Sequence, residues 1–444
     1  MAFQALNTSS RQSLSLGAQL AITVFVVCQF VEITFIEIGE TPVTLQKLLA
    51  VILLPLALRW MKNRISLNFP LLLIGLSFSI AFSARYIVDG SFPREFWAGN
   101  ISVLTGCFAG LVLYTALTEE LGAVDFLAKI WIWASAATGA LACLQATSAF
   151  TWLPLSPDTL HHWSMLYYRG IGLKTDSNFQ AAVASLGLPF AFFYVSPRWR
   201  IPVLLVITLG ILATFSRMGL IVSLIALGLG VAVYARKIKE TTIPKLLLLF
   251  ASVALVFFFW AIGIEKFSNL IVHRFEEIGV TLRVFMEGKS DPLILQEDLN
   301  STEIRLILAQ KALQLGREHW IVGVGAFRSV PALFNATGFT DGACNTPLDL
   351  FLIGGVFGIL AFFLYWLVIF RCYWNTRSSL LPLREKRLLL LLSVMTLYIS
   401  MFLSLTYLSI SWLIPALALA IDYWGRQAKT LRELKPSPEA EPVS

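Results

Sequence analysis

Apolar runs of roughly 17 to 25 residues, the length at which an α-helix crosses the hydrocarbon of a bilayer, follow one another along most of this chain. They fall at about 16–38, 43–60, 70–86, 100–118, 124–148, 178–196, 200–215, 218–235, 243–264, 347–370, 388–404 and 406–424. Few folds are open to such a chain, because in lipid every backbone N–H and C=O must find its partner within the protein. The expected fold is all-α, a polytopic membrane protein of about 12 transmembrane helices. Composition agrees: 57% of the 444 residues are hydrophobic and 14% charged, against about 25% charged in an ordinary soluble domain. The 13 Trp and 33 Phe cannot all lie in one globular core. A soluble enzyme, a secreted disulfide scaffold and a disordered chain are excluded.

The basic residues set the orientation. With the N-terminus inside, 19 of the 34 Lys and Arg fall on short cytoplasmic segments, among them Arg59, Arg198, Arg236, Arg384 and Arg426. That is the positive-inside pattern, and it accounts for the net charge of +7 without a nucleic-acid partner. The first run is too long and too lightly flanked for a cleaved signal and is read as a retained span. Residues 1–264 are then spans one to nine, 265–346 a large periplasmic loop, 347–424 spans ten to twelve, and 425–444 a cytoplasmic tail with a disordered end. The loop separates the ninth and tenth helices and is itself expected to be helical. Long loops in compact domains are usually functional, so the chemistry is sought there and in the shorter outer connection 149–177. No repeat of 20 to 50 residues is visible.

Cysteine and histidine offer little. Cys28, Cys107 and Cys143 lie inside runs, Cys372 just inside the cytoplasm and Cys344 alone at the outer end of the tenth span, so no structural disulfide is expected. The four histidines show no ligand spacing, and no metal and no cofactor are expected. His161 and His162 could hold a metal with a carboxylate such as Asp158, but they are read instead as part of a polar loop on the membrane surface beside Trp152, Trp163, Tyr167 and Tyr168.

Charges at membrane depth cost about 2.5 to 3.5 kcal/mol each on insertion scales and need a reason. Glu32 and Glu37 occupy the outer part of the first span, Arg217 the near-absent connection in ATFSRMG, and Asp349 the first turn of the tenth span. Arg217 either snorkels to headgroups or clamps an anion facing a cavity. In NSTEIRLILAQKALQLG, Asn300 and Glu303 have capping-box spacing. At about 100° per residue, Gln310, Gln314 and Arg317 share a polar face. Arg305 instead projects into the apolar arc of Ile304, Leu308, Ala309, Ala312 and Leu313, in line with the small residues Ala309, Ala312 and Gly316. A lone arginine there needs an anion, either a carboxylate such as Glu297 or a substrate phosphate. In YYRGIGLKTDSNFQAA, Arg169, Lys174, Gly170 and Gly172 form a cationic loop or plain turn, and Asp176, Ser177 or Asn178 can cap the helix that follows. Three separated cationic sites on the outer side point to a polyanionic ligand with a long lipid tail, since an arginine fork suits phosphate oxygens.

These segments resemble the O-antigen ligase and O-antigen polymerase superfamily, bacterial integral membrane glycosyltransferases of the C-type fold. The resemblance covers about 165–365. It rests on RGIGLKTDSNFQAA before a span, FSRMG between two spans, STEIRLILAQKAL followed by VGVGAF in the large loop, and CNTPLDLFLIGGVFG opening the next span. Arg305 and Gly316 also match an arginine-to-glycine spacing of polymerase loops.

The resemblance implies an enzyme of the bacterial inner membrane, with its active site facing the periplasm. It would take a glycan from an undecaprenyl-diphosphate-linked donor and transfer it, with inversion and without a metal, to a glycan or lipid-linked acceptor. Arg217 and Arg305, with Arg169 and Lys174 beside them, would bind the diphosphate, neutralising the leaving group as its charge grows. Ligases carry a histidine immediately before the motif asparagine, where this chain has Cys344 before Asn345. A thiol with a reference pKa near 8.5 is a poor substitute for imidazole at neutral pH. The substitution favours a polymerase of repeat units, with a chain-length regulator as a further partner, over a ligase to lipid A-core. It leaves the base open among Asp349, His319 and Asp341. The competing classes are a transporter or flippase for a similar lipid-linked substrate and a catalytically inactive scaffold.

Overall fold

The computed structural model describes residues 14–32, 34–38, 41–44, 60, 68–120, 122–146, 158–162, 165–174, 176–234, 301–339, 342–377, 383–403 and 409–433. In chain order these form α1 (Leu16–Phe30), β1 (Thr34–Ile38), β2 (Thr41–Thr44), α2 (Phe69–Val88), α3 (Arg94–Glu119) and α4 (Gly122–Ala146). There follow β3 (Asp158–His162), β4 (Met165–Arg169), α5 (Ser177–Ser185), α6 (Gly187–Tyr194), α7 (Pro197–Ala213) and α8 (Arg217–Tyr234). The last part holds α9 (Ser301–Glu318), α10 (Ser329–Thr337), α11 (Thr346–Arg377), α12 (Leu383–Phe402), a 3₁₀ turn (Ser409–Trp412) and α13 (Leu413–Glu433). The protein is a helical, multi-pass membrane protein. Among the described residues, α2, α3, α4 and α11 as far as Thr376 are long and apolar enough to cross a bilayer, and shorter apolar helices occur at Leu16–Phe30 and Met218–Gly230. The runs at 43–60, Trp60 aside, and 243–264 lie outside the described residues, as do 265–300 of the large loop, with Glu297 and Asn300.

Three runs depart from the single spans expected of them. The run at 16–38 is helical only to Phe30 and continues as β1, paired antiparallel with β2. The β-branched residues of TFIEI and TPVT suit a pleated strand, so Glu32 lies just past a helix end and Glu37 on a strand. The run at 178–196 is two short helices broken at Leu186. Pro189 explains the break, because it lacks an N–H and its ring clashes with the carbonyl four residues back, that of Ser185. Within the run at 406–424, Ser409–Trp412 form the 3₁₀ turn, and the helix α13 that follows runs on to Glu433. A second hairpin, β3–β4, pairs Asp158 with Arg169 through His162 with Met165, where a polar loop was expected.

Apolar surfaces give little net drive between helices inside lipid, so close backbone approach through small residues holds them. Gly139 of α4 and Gly210 of α7 meet so closely that a Cβ on Gly210 would lie 2.2 Å from the Gly139 Cα. Gly354 of α11 packs on Ala81 of α2 in the same way, at 2.8 Å. The Trp412 ring sits against Gly106 and Gly110 of α3, and Gly106 leaves 2.3 Å between its virtual Cβ and the indole Nε1.

The contacts sort the helix ends into two groups. At one end Gly170 bonds Ala213, Glu32 bonds Leu173, and Asn345 and Thr346 bond Met401 and Leu403. At the other end Arg384 pairs with Asp125 and covers the Tyr194 ring, Ser15 bonds Glu119, and Trp424 bonds the Leu117 carbonyl. The RGIGLK, FSRMG and CNTPLD segments all lie at the first end. The short basic segments around Arg198, Arg371, Arg384 and Arg426 lie at the second.

Candidate functional site

The loop between β4 and α5 is built for close contact. Gly170 donates its N–H to the Ala213 carbonyl at 2.9 Å, and a Cβ there would fall 2.3 Å from the Ala142 carbonyl oxygen, so only glycine fits. Gly172 takes φ +58°, which glycine adopts without steric cost. Gln145, in the last turn of α4, accepts from the N–H groups of Ile171 and Gly172 at 2.9 and 2.8 Å and donates to the Gly172 carbonyl at 3.0 Å. Asp176 is the residue that caps α5, accepting from the N–H groups of Asn178 and Phe179. Asn178 in turn accepts from the Ser216 hydroxyl at 2.8 Å. Ala213 and Ser216 belong to ATFSRMG, and Gly170 and Asn178 to RGIGLKTDSNFQAA, so these two longer segments are tied together at both Ala213 and Ser216.

Arg169 is the last residue of β4 and Arg217 the first of α8, so the main chains of both start from this shared turn. Their side chains lie outside the described residues. Lys174 has a partner in the protein: its Nζ lies 3.7 Å from Glu32, with the two side chains 10% and 29% exposed. Burial lowers the Lys174 pKa and the Glu32 carboxylate opposes that shift. The pair answers the cost of Glu32 and gives Lys174 a structural task besides any ligand contact.

A second group gathers where α9 packs on α11. Leu308 and Ala312 are fully buried, in one apolar cluster with Ile304, Leu315, Ala343, Leu348 and Leu352. A Cβ on Gly316 would lie 2.5 Å from the Phe351 ring. Arg305, partly buried, projects between the lines of Ala312 and Gly316, on the face that α9 turns to α11 as expected; Leu313 departs from the expected arc and is exposed. No acid among the described residues pairs with Arg305. The CNTPLD segment is fixed in detail. Asn345 caps α11 by accepting from the Leu348 N–H at 3.0 Å and donates to the Met401 carbonyl at 2.8 Å. Asp349, 4% exposed, accepts from the Ala343 N–H at 3.0 Å, and Cys344 between them is partly buried.

VGVGAF docks into a break in α11. Gly355 leaves the helix at φ +58°, ψ −135°, which frees the carbonyls of Leu352 and Ile353 from their helical partners. Val324 and Gly325 donate to those carbonyls at 2.8 and 2.9 Å, and Val356 donates to the Trp320 carbonyl at 2.8 Å. His319 belongs to this junction, roughly 20 Å along α9 from Arg305 at 1.5 Å rise per residue. Asp341 lies outside the described residues. The structure therefore brings together the main chain at Arg169 and at Arg217, and the turn of Arg305 with the segment of Cys344, Asn345 and Asp349, while His319 stands apart. No group able to hold a metal occurs among the described residues, and the His161 and His162 side chains lie outside them.

Among the described residues three non-glycines have positive φ: Phe215 (50°), Phe327 (59°) and Cys344 (53°). They fall in FSRMG, VGVGAF and CNTPLD respectively. Such conformations cost about 1 to 3 kcal/mol each and cluster at functional sites. Gln145 and Ser216 were not legible as site residues; the available signal was a glutamine in the last turn of a mostly apolar helix.

Residues 202–363 match the O-antigen ligase family. The match runs from α7 through the first half of α11 and takes in Arg217, Arg305, His319, Cys344, Asn345 and Asp349. It bears out the resemblance to the O-antigen ligase and polymerase superfamily; Arg169 and Lys174 lie before the matched stretch. No curated protein matches the chain.

Proposed function

We propose that the protein transfers a glycan from an undecaprenyl-diphosphate-linked donor at the periplasmic face of the bacterial inner membrane, and that it polymerises O-antigen or exopolysaccharide repeat units. The observation that carries the reading is the gathering of the strained FSRMG and CNTPLD segments and the cationic loop at one end of the bundle, the end away from the basic clusters. The positive-inside rule makes that end the outer one.

In this reading Arg217 and Arg305, with Arg169, grip the diphosphate. Guanidinium groups fixed in a water-poor cleft stabilise the growing negative charge of the leaving group without having to reorganise. The acceptor hydroxyl attacks the anomeric carbon from the opposite face, the bond to diphosphate breaks, and configuration inverts with no metal taking part. Asp349 is the base candidate that sits with the motif; His319 would need the donor to reach the other end of α9. The ligase reading is favoured by the family that residues 202–363 match. Cys344 speaks against it, standing where ligases carry histidine.

Arg217→Lys and Arg305→Lys keep the charge but lose the two-pronged fork. Each is expected to lower transfer from lipid-linked donor about 10- to 100-fold at unchanged abundance, measured with reconstituted protein. Full activity in both variants would remove the clamp. Purified protein given lipid-linked donor alone should lengthen glycan; transfer only after lipid A-core is added would make it a ligase.

A further inference from the structure

We infer that Gln145 is a positioning residue for the donor site, holding the Gly170–Gly172 loop and with it the main chain at Arg169 next to the turn that opens α8 at Arg217. The inference rests on the reading that Arg169 grips the donor diphosphate.

Two glycines in four residues make RGIG the sort of segment that would sample many conformations, and an arginine next to it would be poorly aimed. The structure removes that freedom at consecutive residues. Gly170 is pinned between Ala142 and Ala213. Ile171 and Gly172 give their N–H groups to Gln145 Oε1, and Gln145 Nε2 takes the Gly172 carbonyl. The side-chain amide thus satisfies both polar groups of Gly172, as a neighbouring strand would. Gln145 is 3% exposed and is the side chain that hydrogen-bonds to this loop from α4. Gly172 also rests on Gln180, whose amide donates to Thr138 Oγ1 at 2.9 Å, so the floor beneath the loop is itself fixed. A site that must meet a transition state gains from donors already in place, because their ordering is not then charged against binding.

The test uses the full-length protein in lipid nanodiscs, with Gln145→Met, which keeps length and volume but makes none of the three bonds, and Gln145→Glu, which keeps an acceptor for the two N–H groups. Hydrogen exchange reads the loop directly: Gln145→Met should speed exchange at Ile171 and Gly172 at least tenfold, with α4 and α7 unchanged. Steady-state kinetics with lipid-linked donor should show kcat and kcat/KM both lowered about tenfold, with KM within threefold of the parent, since a group that meets charge growing on the leaving group acts mainly in the transition state. Gln145→Glu should show a smaller change in both readouts.

Unchanged exchange in Gln145→Met overturns the inference. So does faster exchange spread through α4 with a lowered melting temperature, which would make Gln145 merely structural. Faster local exchange with unaltered kinetics also overturns it, and in that case the fault lies with the role of Arg169. Arg217→Lys and Arg305→Lys measured alongside separate the two failures, since full activity in both would sink the donor-clamp reading whatever Gln145 does.

Discussion

At the scale of single residues, buried charge is the organising cost. Lys174 and Glu32 illustrate it: each sits where an isolated ion would be expensive, and they meet at 3.7 Å. Removing one partner of such a pair strands the other, whereas replacing both with apolar residues is often neutral. Glu32→Gln should therefore lower stability by about 1 to 3 kcal/mol, discounted because Glu32 is partly exposed, and the Glu32→Gln/Lys174→Met double variant should recover most of it. Thermal unfolding in detergent checks this. A double variant no more stable than the single would show that the pair contributes nothing. Arg305 is the contrasting case, on a packing face and in no ion pair with an acid among the described residues, as a site for an external anion requires.

At the scale of elements, the junction between the large loop and α11 is a backbone graft. A helix that breaks loses its own hydrogen bonds, and the orphaned carbonyls must be satisfied elsewhere. Here the N–H groups of Val324 and Gly325 do so, and the geometry admits only glycine at the crossing points. A Cβ on Gly323 would lie 2.3 Å from the Ile353 carbonyl oxygen, and one on Gly355 would lie 2.5 Å from that of Trp320. Gly323→Ala or Gly355→Ala should add about 1 to 3 kcal/mol of backbone strain alone and lever the loop away from α11. We predict faster proteolysis between Glu318 and Arg328 and reduced glycan transfer in both. Normal transfer with an intact protease pattern would show that the docking tolerates a methyl group.

At the scale of the whole molecule, the two ends carry different chemistry. The motif segments meet at one end, and the basic segments near Arg198, Arg384 and Arg426 collect at the other. If the motif end faces the periplasm, a cysteine placed at Asn335, exposed on α10, will react with an impermeant maleimide once the outer membrane alone is permeabilised. Labelling that requires rupture of the inner membrane would reverse the topology and with it the site. The Arg384–Asp125 pair at the opposite end should then be reached only from the cytoplasm.

What the sequence determined by itself is what depends on composition and local period. Apolar run length specified a multi-pass helical membrane protein, because the bilayer sets the length of a span. The helical period of STEIRLILAQKAL put Arg305 on the packing face of α9, and the order of short motifs marked the superfamily. What only the tertiary structure decided depends on contacts between segments distant in the chain. Strand or helix at 34–38 turned on pairing with 41–44, since β-branched residues favour a strand but an unpaired strand leaves its backbone groups unsatisfied. Lys174, read as a ligand for diphosphate, proved to face Glu32, 142 positions earlier in the chain. Gln145 looked like one polar residue at the end of an apolar run; its meaning came from the loop folded against it, because a buried amide is defined by the groups it satisfies.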